Sequence, residues 1–278
     1  MHLEVPPVGL GFWRCFVASL ILLPIIWPNR VYLISTIRSH FQILVVVGII
    51  LTVSTTSVLI ALHFTTATNA AMINSTQPII TIILAWLFLN EQLERQQKFG
   101  VLLGFMGVMV MISKGDFHKL INVDYNIGDL ISLAAMIGLA VYSIKLKSLA
   151  DKFTAVELLF SILTVGTLFL LPFYIIETIY YHPVIISPTS LSSIFSMAIF
   201  VMVLGILAWN IVIQLVGPSM ASIFLNLIPV FGAVLSMIFL GEQFHFYHFI
   251  CFLFIFAGML MVLRRSLQNL KLVNKIVN

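Results

Sequence analysis

The chain has 278 residues, of which 61% are hydrophobic and 9% charged, and 14 Lys and Arg against 10 Asp and Glu give it a formal net charge of +4. A soluble domain carries roughly a quarter charged residues, so charges this sparse cannot coat a water-facing globule, and lipid is the solvent for most of the fold. The excess of basic residues sits in short connections and the tail, which speaks to orientation in a membrane and not to a nucleic-acid surface.

A helix needs about 20 apolar residues to cross the hydrocarbon core. Stretches 9–27, 41–63, 67–90, 97–113, 128–147, 154–177, 191–215, 218–240 and 245–264 meet that length, so the spacing predicts an all-α polytopic bundle of about nine transmembrane helices. Met1 to Val8 lack a basic n-region, and 9–27 reads as a retained span. Arg14, near the start of that span, reads as a snorkelling or structural arginine. In 67–90, Asn74, Gln77 and Thr81 share one face around Pro78, which lacks a backbone donor and frees a carbonyl one turn earlier. Gly100, Gly104 and Gly107 give 97–113 a face suited to close helix packing.

Gly128-Asp129 opens the next span and reads as a helix cap, with Tyr142 further along it. Glu157 reads as a favourable charge near a helix N-terminus. Trp209, Asn210 and Gln214 bring an aromatic and two amides to 191–215, and Ser222 and Asn226 share a face just before Pro229. Trp27-Pro28-Asn29, Gly115-Asp116, His182-Pro183 and Gly217-Pro218 punctuate the linkers. Cys15 and Cys251 lie in apolar runs without metal-ligand spacing and read as small core residues; no metal site or cofactor is expected. GxSxG, HExxH and GxxxxGK[ST] are absent, which argues against an enzyme and against ATP-driven pumping.

With the C-terminus in the cytoplasm, the connections on that side hold Arg30, Arg38, Arg95, Lys98, Lys145, Lys147, Lys152, Arg264, Arg265, Lys271 and Lys275, against Lys114 and Lys119 opposite. The positive-inside rule selects this orientation, with residues 114–127 outside.

Pro78, Glu91-Gln92 and Gly107 recur as Pro229, Glu242-Gln243 and Gly258, each at an offset of 151, as do Ala70 with Ala221, Phe88 with Phe239 and Leu89 with Leu240. An odd number of spans separates equivalent points, so the halves run in opposite directions, an arrangement found in secondary transporters. Glu91 and Glu242 end their helices and read as connectors. With Ala70 to Pro78, Leu89-Asn90-Glu91-Gln92, Gly217-Pro218 to Pro229 and Leu240-Gly241-Glu242-Gln243, together with Pro7 through Arg14 to Pro24 and Gly128 to Lys152, the chain resembles the EamA-like branch of the drug/metabolite transporter superfamily. The resemblance implies ten helices as five plus five, whereas this chain supplies four plus five, so the family's first helix is expected to be missing. The expected units are an N-terminally incomplete repeat over 1–114, a second repeat over 127–265 and a basic tail over 266–278.

The expected function is a permease or exporter of the cell inner (plasma) membrane for a small metabolite, amino acid-like or drug-like solute, working by alternating access between inverted halves. A non-transporting partner subunit, or an intramembrane or lipid-handling enzyme, is the alternative. The expected substrate site is a mostly neutral cavity bordered by Asn74, Gln77, Trp209, Asn210 and Asn226, with Tyr142 a weaker candidate; a zwitterionic or neutral solute fits it best. Interhelical hydrogen bonding without a ligand is the competing role for these amides. The expected partners are the solute and the lipid bilayer, a homodimer is left open, and no nucleic acid is expected.

Overall fold

The structure, a computed structural model, describes residues 5–113, 116, 126–240, 243 and 245–277, with the backbone alone at 67, 68, 236, 240 and 263–277. The helices are α1 (Pro7–Ile26), α2 (Arg30–Ser39), α3 (Phe41–Ala61), α4 (Ala67–Asn74), α5 (Gln77–Leu89), α6 (Arg95–Ser113), α7 (Ile127–Lys147), α8 (Ala155–Tyr180), α9 (Pro188–Ser196), α10 (Leu207–Val216), α11 (Pro218–Ile223), α12 (Leu227–Leu240) and α13 (Phe246–Val277). They form a polytopic helical bundle. Among the described residues 8 helical stretches are long and apolar enough to cross a membrane, and Phe246–Val262 adds a shorter apolar helix.

Trp27-Pro28-Asn29, expected as a linker, is a 3-10 turn joining α1 to α2, so that Pro7–Ser39 is one continuous helical stretch. Proline is tolerated in a first helical turn because the N–H it lacks would have had no partner there. Arg30 holds the turn by donating from Nη1 to the Trp27 carbonyl at 3.2 Å with its guanidinium 5.0 Å over the Trp27 ring.

Two membrane stretches break in mid-course. α4 ends at Asn74 and α5 begins at Gln77, while a 3-10 turn over Phe224–Asn226 parts α11 from α12. Each break falls within a turn before a proline, Pro78 or Pro229, whose ring clashes with the preceding turn and whose missing N–H ends the ladder. Lipid offers no hydrogen bonds at such breaks, and nearby hydroxyls add bonds to the backbone there. Ser75 Oγ donates to the Met72 carbonyl and Thr76 Oγ1 to the Ile73 carbonyl, both at 2.6 Å, and Ser222 Oγ donates to the Ser219 carbonyl at 2.8 Å. A third irregularity was not expected: α9 passes into α10 through a π-helical stretch, Met197–Ile206.

α3 lies at the centre, against α1, α7 and α8. Its hydroxyls fit glycine notches on all three: Thr56 against Gly11, Ser54 against Gly138 and Thr52 against Gly166. Leu44, Val47 and Leu51 pack with Tyr142, Leu146, Leu158 and Ile162, and Cys15 and Cys251 are buried core residues. α6 and α13 run antiparallel in the closest packing of the fold. A Cβ on Gly100 would lie 2.5 Å from the Gly258 carbonyl oxygen, and one on Gly107 would lie 3.1 Å from that of Cys251. The offset of 151 carries Gly100 to Cys251 and Gly107 to Gly258, so each contact maps onto the other.

Coverage is uneven. α3 has 39% of its most apolar window buried, but the stretch that corresponds to it by the offset, within Pro188–Val216, has 17%. α7 covers α3.

Candidate functional site

Where the broken spans meet, the bundle holds a partly open cavity of about 500 Å³. The two break regions contribute matching positions: Asn74, Ser75, Gln77 and Pro78 from one, Leu225, Asn226, Ile228 and Pro229 from the other. Each member of the first set lies 151 residues before its counterpart. α3 adds Thr55, Val58 and Leu59, α6 adds Val108 and Ile112, α7 adds Met136 and Leu139, and the π-helical stretch adds Met197, Val201 and Met202. The walls are mostly apolar, and the amides sit where the helices break. Glycine makes room for one of them: a Cβ on Gly104 would lie 2.7 Å from Asn226 Nδ2. Asn74 Oδ1 is buried with no hydrogen-bond partner.

The expected site residues separate into two groups. Asn74, Gln77 and Asn226 line the cavity. Tyr142, Trp209 and Asn210 are not among its lining residues; they join α10 to α7. The Tyr142 hydroxyl donates to Asn210 Oδ1 at 2.7 Å, with both residues buried, and Trp209 Nε1 donates to Ser143 Oγ at 3.3 Å. For Trp209 and Asn210 the π-helical stretch bears on the separation, because its wider turn shifts the phase of the residues after it. A face drawn through 191–215 at ordinary helical spacing therefore points elsewhere by residue 209.

Arg14 was expected either to snorkel or to make a structural contact. It lines the cavity, 2% exposed, and does not snorkel to the surface. The available signal was that it is the only charge in its span.

The carboxylates near helix starts are engaged elsewhere. Asn126 caps α7 and forms a reciprocal pair with Asp129, which also accepts from Thr65 Oγ1. Thr154 and Glu157 do the same for α8. Glu91 follows Asn90, whose φ of 54° turns the chain sharply after α5, and its Oε2 accepts the Ser219 N–H of α11 at 3.3 Å. Its equivalent Glu242 lies outside the described residues.

The sequence pattern of the EamA-like transporter family matches residues 1–113 and 126–264. The chain belongs to this family. It is similar to the uncharacterized transporter YetK of Bacillus subtilis (strain 168), 28% identical over 210 residues covering 76% of this chain and 64% of YetK. It is also similar to an S-adenosylmethionine uptake transporter of Rickettsia felis (strain ATCC VR-1525 / URRWXCal2), 29% identical over 151 residues, which is 54% of this chain and 49% of that one. A solved crystal structure superposes with a TM-score of 0.77 over 95% of this chain and 90% of the other, at 15% identity, and thereby shares the fold. Family and spans together make this EamA-like chain a multi-pass membrane protein and a transporter homologue.

Proposed function

We propose that the chain is a plasma-membrane secondary transporter that carries a small metabolite or drug-like solute by alternating access of two inverted halves, with the central cavity as its substrate site. The observation that supports this reading best is the symmetric lining: residues 74, 75, 77 and 78 and their counterparts 225, 226, 228 and 229 border one space at the breaks of two membrane helices. Transporter sites built from discontinuous helices at a repeat interface have this form. The antiparallel α6 and α13, whose contacts interchange under the same offset, fit an inverted repeat. No nucleotide-binding loop occurs in the sequence, so movement follows a gradient.

The test compares metabolite distribution across the membrane in cells lacking the protein and cells overproducing it, with membrane abundance monitored. The wild-type chain should redistribute at least one solute. Gln77→Leu and Asn226→Leu should lose most of that effect at normal abundance. No redistribution by the wild-type chain, or full effect by both variants, overturns the reading.

A further inference from the structure

We infer that the transported solute carries a single carboxylate and that Arg14 is the residue that receives it. The inference rests on the cavity being the substrate site.

Arg14 is a permanent cation in the wall of an otherwise neutral cavity. Its Nε and Nη2 are buried with no hydrogen-bond partner. These two nitrogens form one edge of the planar guanidinium, and their N–H bonds lie parallel, the arrangement that takes both oxygens of a carboxylate side-on. Among the described residues no carboxylate lines the cavity. Among the described elements packed most heavily on α1, which are α3, α8, α9, the π-helical stretch and the Trp27–Asn29 turn, only α8 carries acidic residues. Both are committed elsewhere: Glu157 accepts from Thr154, and Glu177 accepts the Val8 and Gly9 N–H groups at 3.1 and 2.6 Å.

Beyond the neighbouring Cys15 thiol, which hydrogen-bonds the Arg14 side chain, the Nε and Nη2 edge of this buried charge is unpaired, which is costly, and ionisable groups at membrane depth mark substrate or ion pathways. Here the partner arrives with the solute. A rotation of the Arg14 side chain presents the unpaired edge to it. One arginine and no second cation in the lining match one negative charge, which selects a carboxylate over a doubly charged phosphate ester. Asn74 Oδ1, also unpartnered, accepts a donor from the same solute, and the walls of Val, Leu, Ile and Met take an apolar body. The solute class is a compact monocarboxylate with an apolar side group and a hydrogen-bond donor.

The experiment uses the full chain in proteoliposomes supplied with leucine, methionine and phenylalanine together with leucinamide, methioninamide and phenylalaninamide, and reads entry above protein-free liposomes by mass spectrometry. Each pair differs only at the carboxyl group. Wild-type protein should admit one or more acids in preference to the matching amide. Arg14→Gln should lower entry of the acid by about tenfold or more, as expected when a hydrogen-bonded charge loses its partner, and Arg14→Lys should retain part of it, at equal incorporation. Equal entry of acid and amide, entry of neither series, or undiminished acid entry with Arg14→Gln overturns the inference. The acid-to-amide preference of the wild-type chain tests the carboxylate even if one variant fails to insert, and the other variant then tests Arg14. Failure of the transport reading itself shows separately, as the absence of any solute redistribution by wild-type cells.

Discussion

At the scale of single residues, Tyr142 and Asn210 carry the clearest energetic statement. Both are buried, Asn210 Oδ1 takes the Tyr142 hydroxyl, and Asn210 Nδ2 has no partner. Tyr142→Phe removes the one bond that amide makes and leaves it wholly unsatisfied. The expected loss of stability lies between about 0.6 and 3 kcal/mol, the lower end being typical of hydrogen bonds between membrane helices. Thermal unfolding of the detergent-solubilised protein checks this, and the double variant with Asn210→Leu should lose less than the sum of the single changes. Transport per molecule should stay near wild type, because neither side chain lines the cavity; a fall in transport at unchanged stability would instead return this pair to the site. The same scale shows what the sequence could reveal. That Asn74, Gln77 and Asn226 lie together at the helix breaks was legible, because each is a mid-span amide beside a proline. Arg14 was not, because its distance along a helix is readable from sequence but the direction it faces is set by tertiary packing.

At the scale of elements, apolar length made eight membrane-length stretches among the described residues legible, since membrane thickness dictates that length. The small-residue face of α6 was legible as well, and α13 is the helix it meets. What sequence did not show was the π-helical stretch Met197–Ile206, because apolar residues all round a helix leave no periodicity in which a phase shift would register. The α6–α13 contact yields a graded prediction. A Cβ on Gly258 would overlap the Gly100 carbonyl oxygen, which is backbone and cannot turn aside, so Gly258→Val forces the helices apart. Membrane abundance should fall severalfold, and the melting temperature of what remains should drop. Gly104→Ala meets the amide of Asn226, a side chain that can move into the cavity. That variant should keep its abundance and lose transport, and the reverse pattern would mean that Gly104 serves packing alone.

At the scale of the whole molecule, orientation follows from charge. Eleven basic residues fall on the side assigned to the cytoplasm and two on the other, an imbalance large enough to fix topology. Reporter fusions at Phe117 and Asn278 should read outside and inside respectively, and the same side for both would contradict the arrangement. The large apolar residues left exposed on α5 and α12, among them Trp86, Phe88, Phe231 and Phe239, are consistent with surfaces that meet lipid.

The contacts Gly100 to Gly258 and Gly107 to Cys251 exchange places when the two stretches of chain are interchanged. Such self-complementarity is the mark of an isologous dimer interface, in which one patch serves both partners. A true dimer assembles by mass action and comes apart on dilution. Here the partners share one backbone, which turns their meeting into an intramolecular event at a fixed effective concentration. The α6–α13 pair therefore has the geometry of a dimer contact with none of its dependence on expression level. It also has a freedom no homodimer has: position 107 can change while position 258 does not, so one face of the contact can drift toward function as the other keeps the helices together.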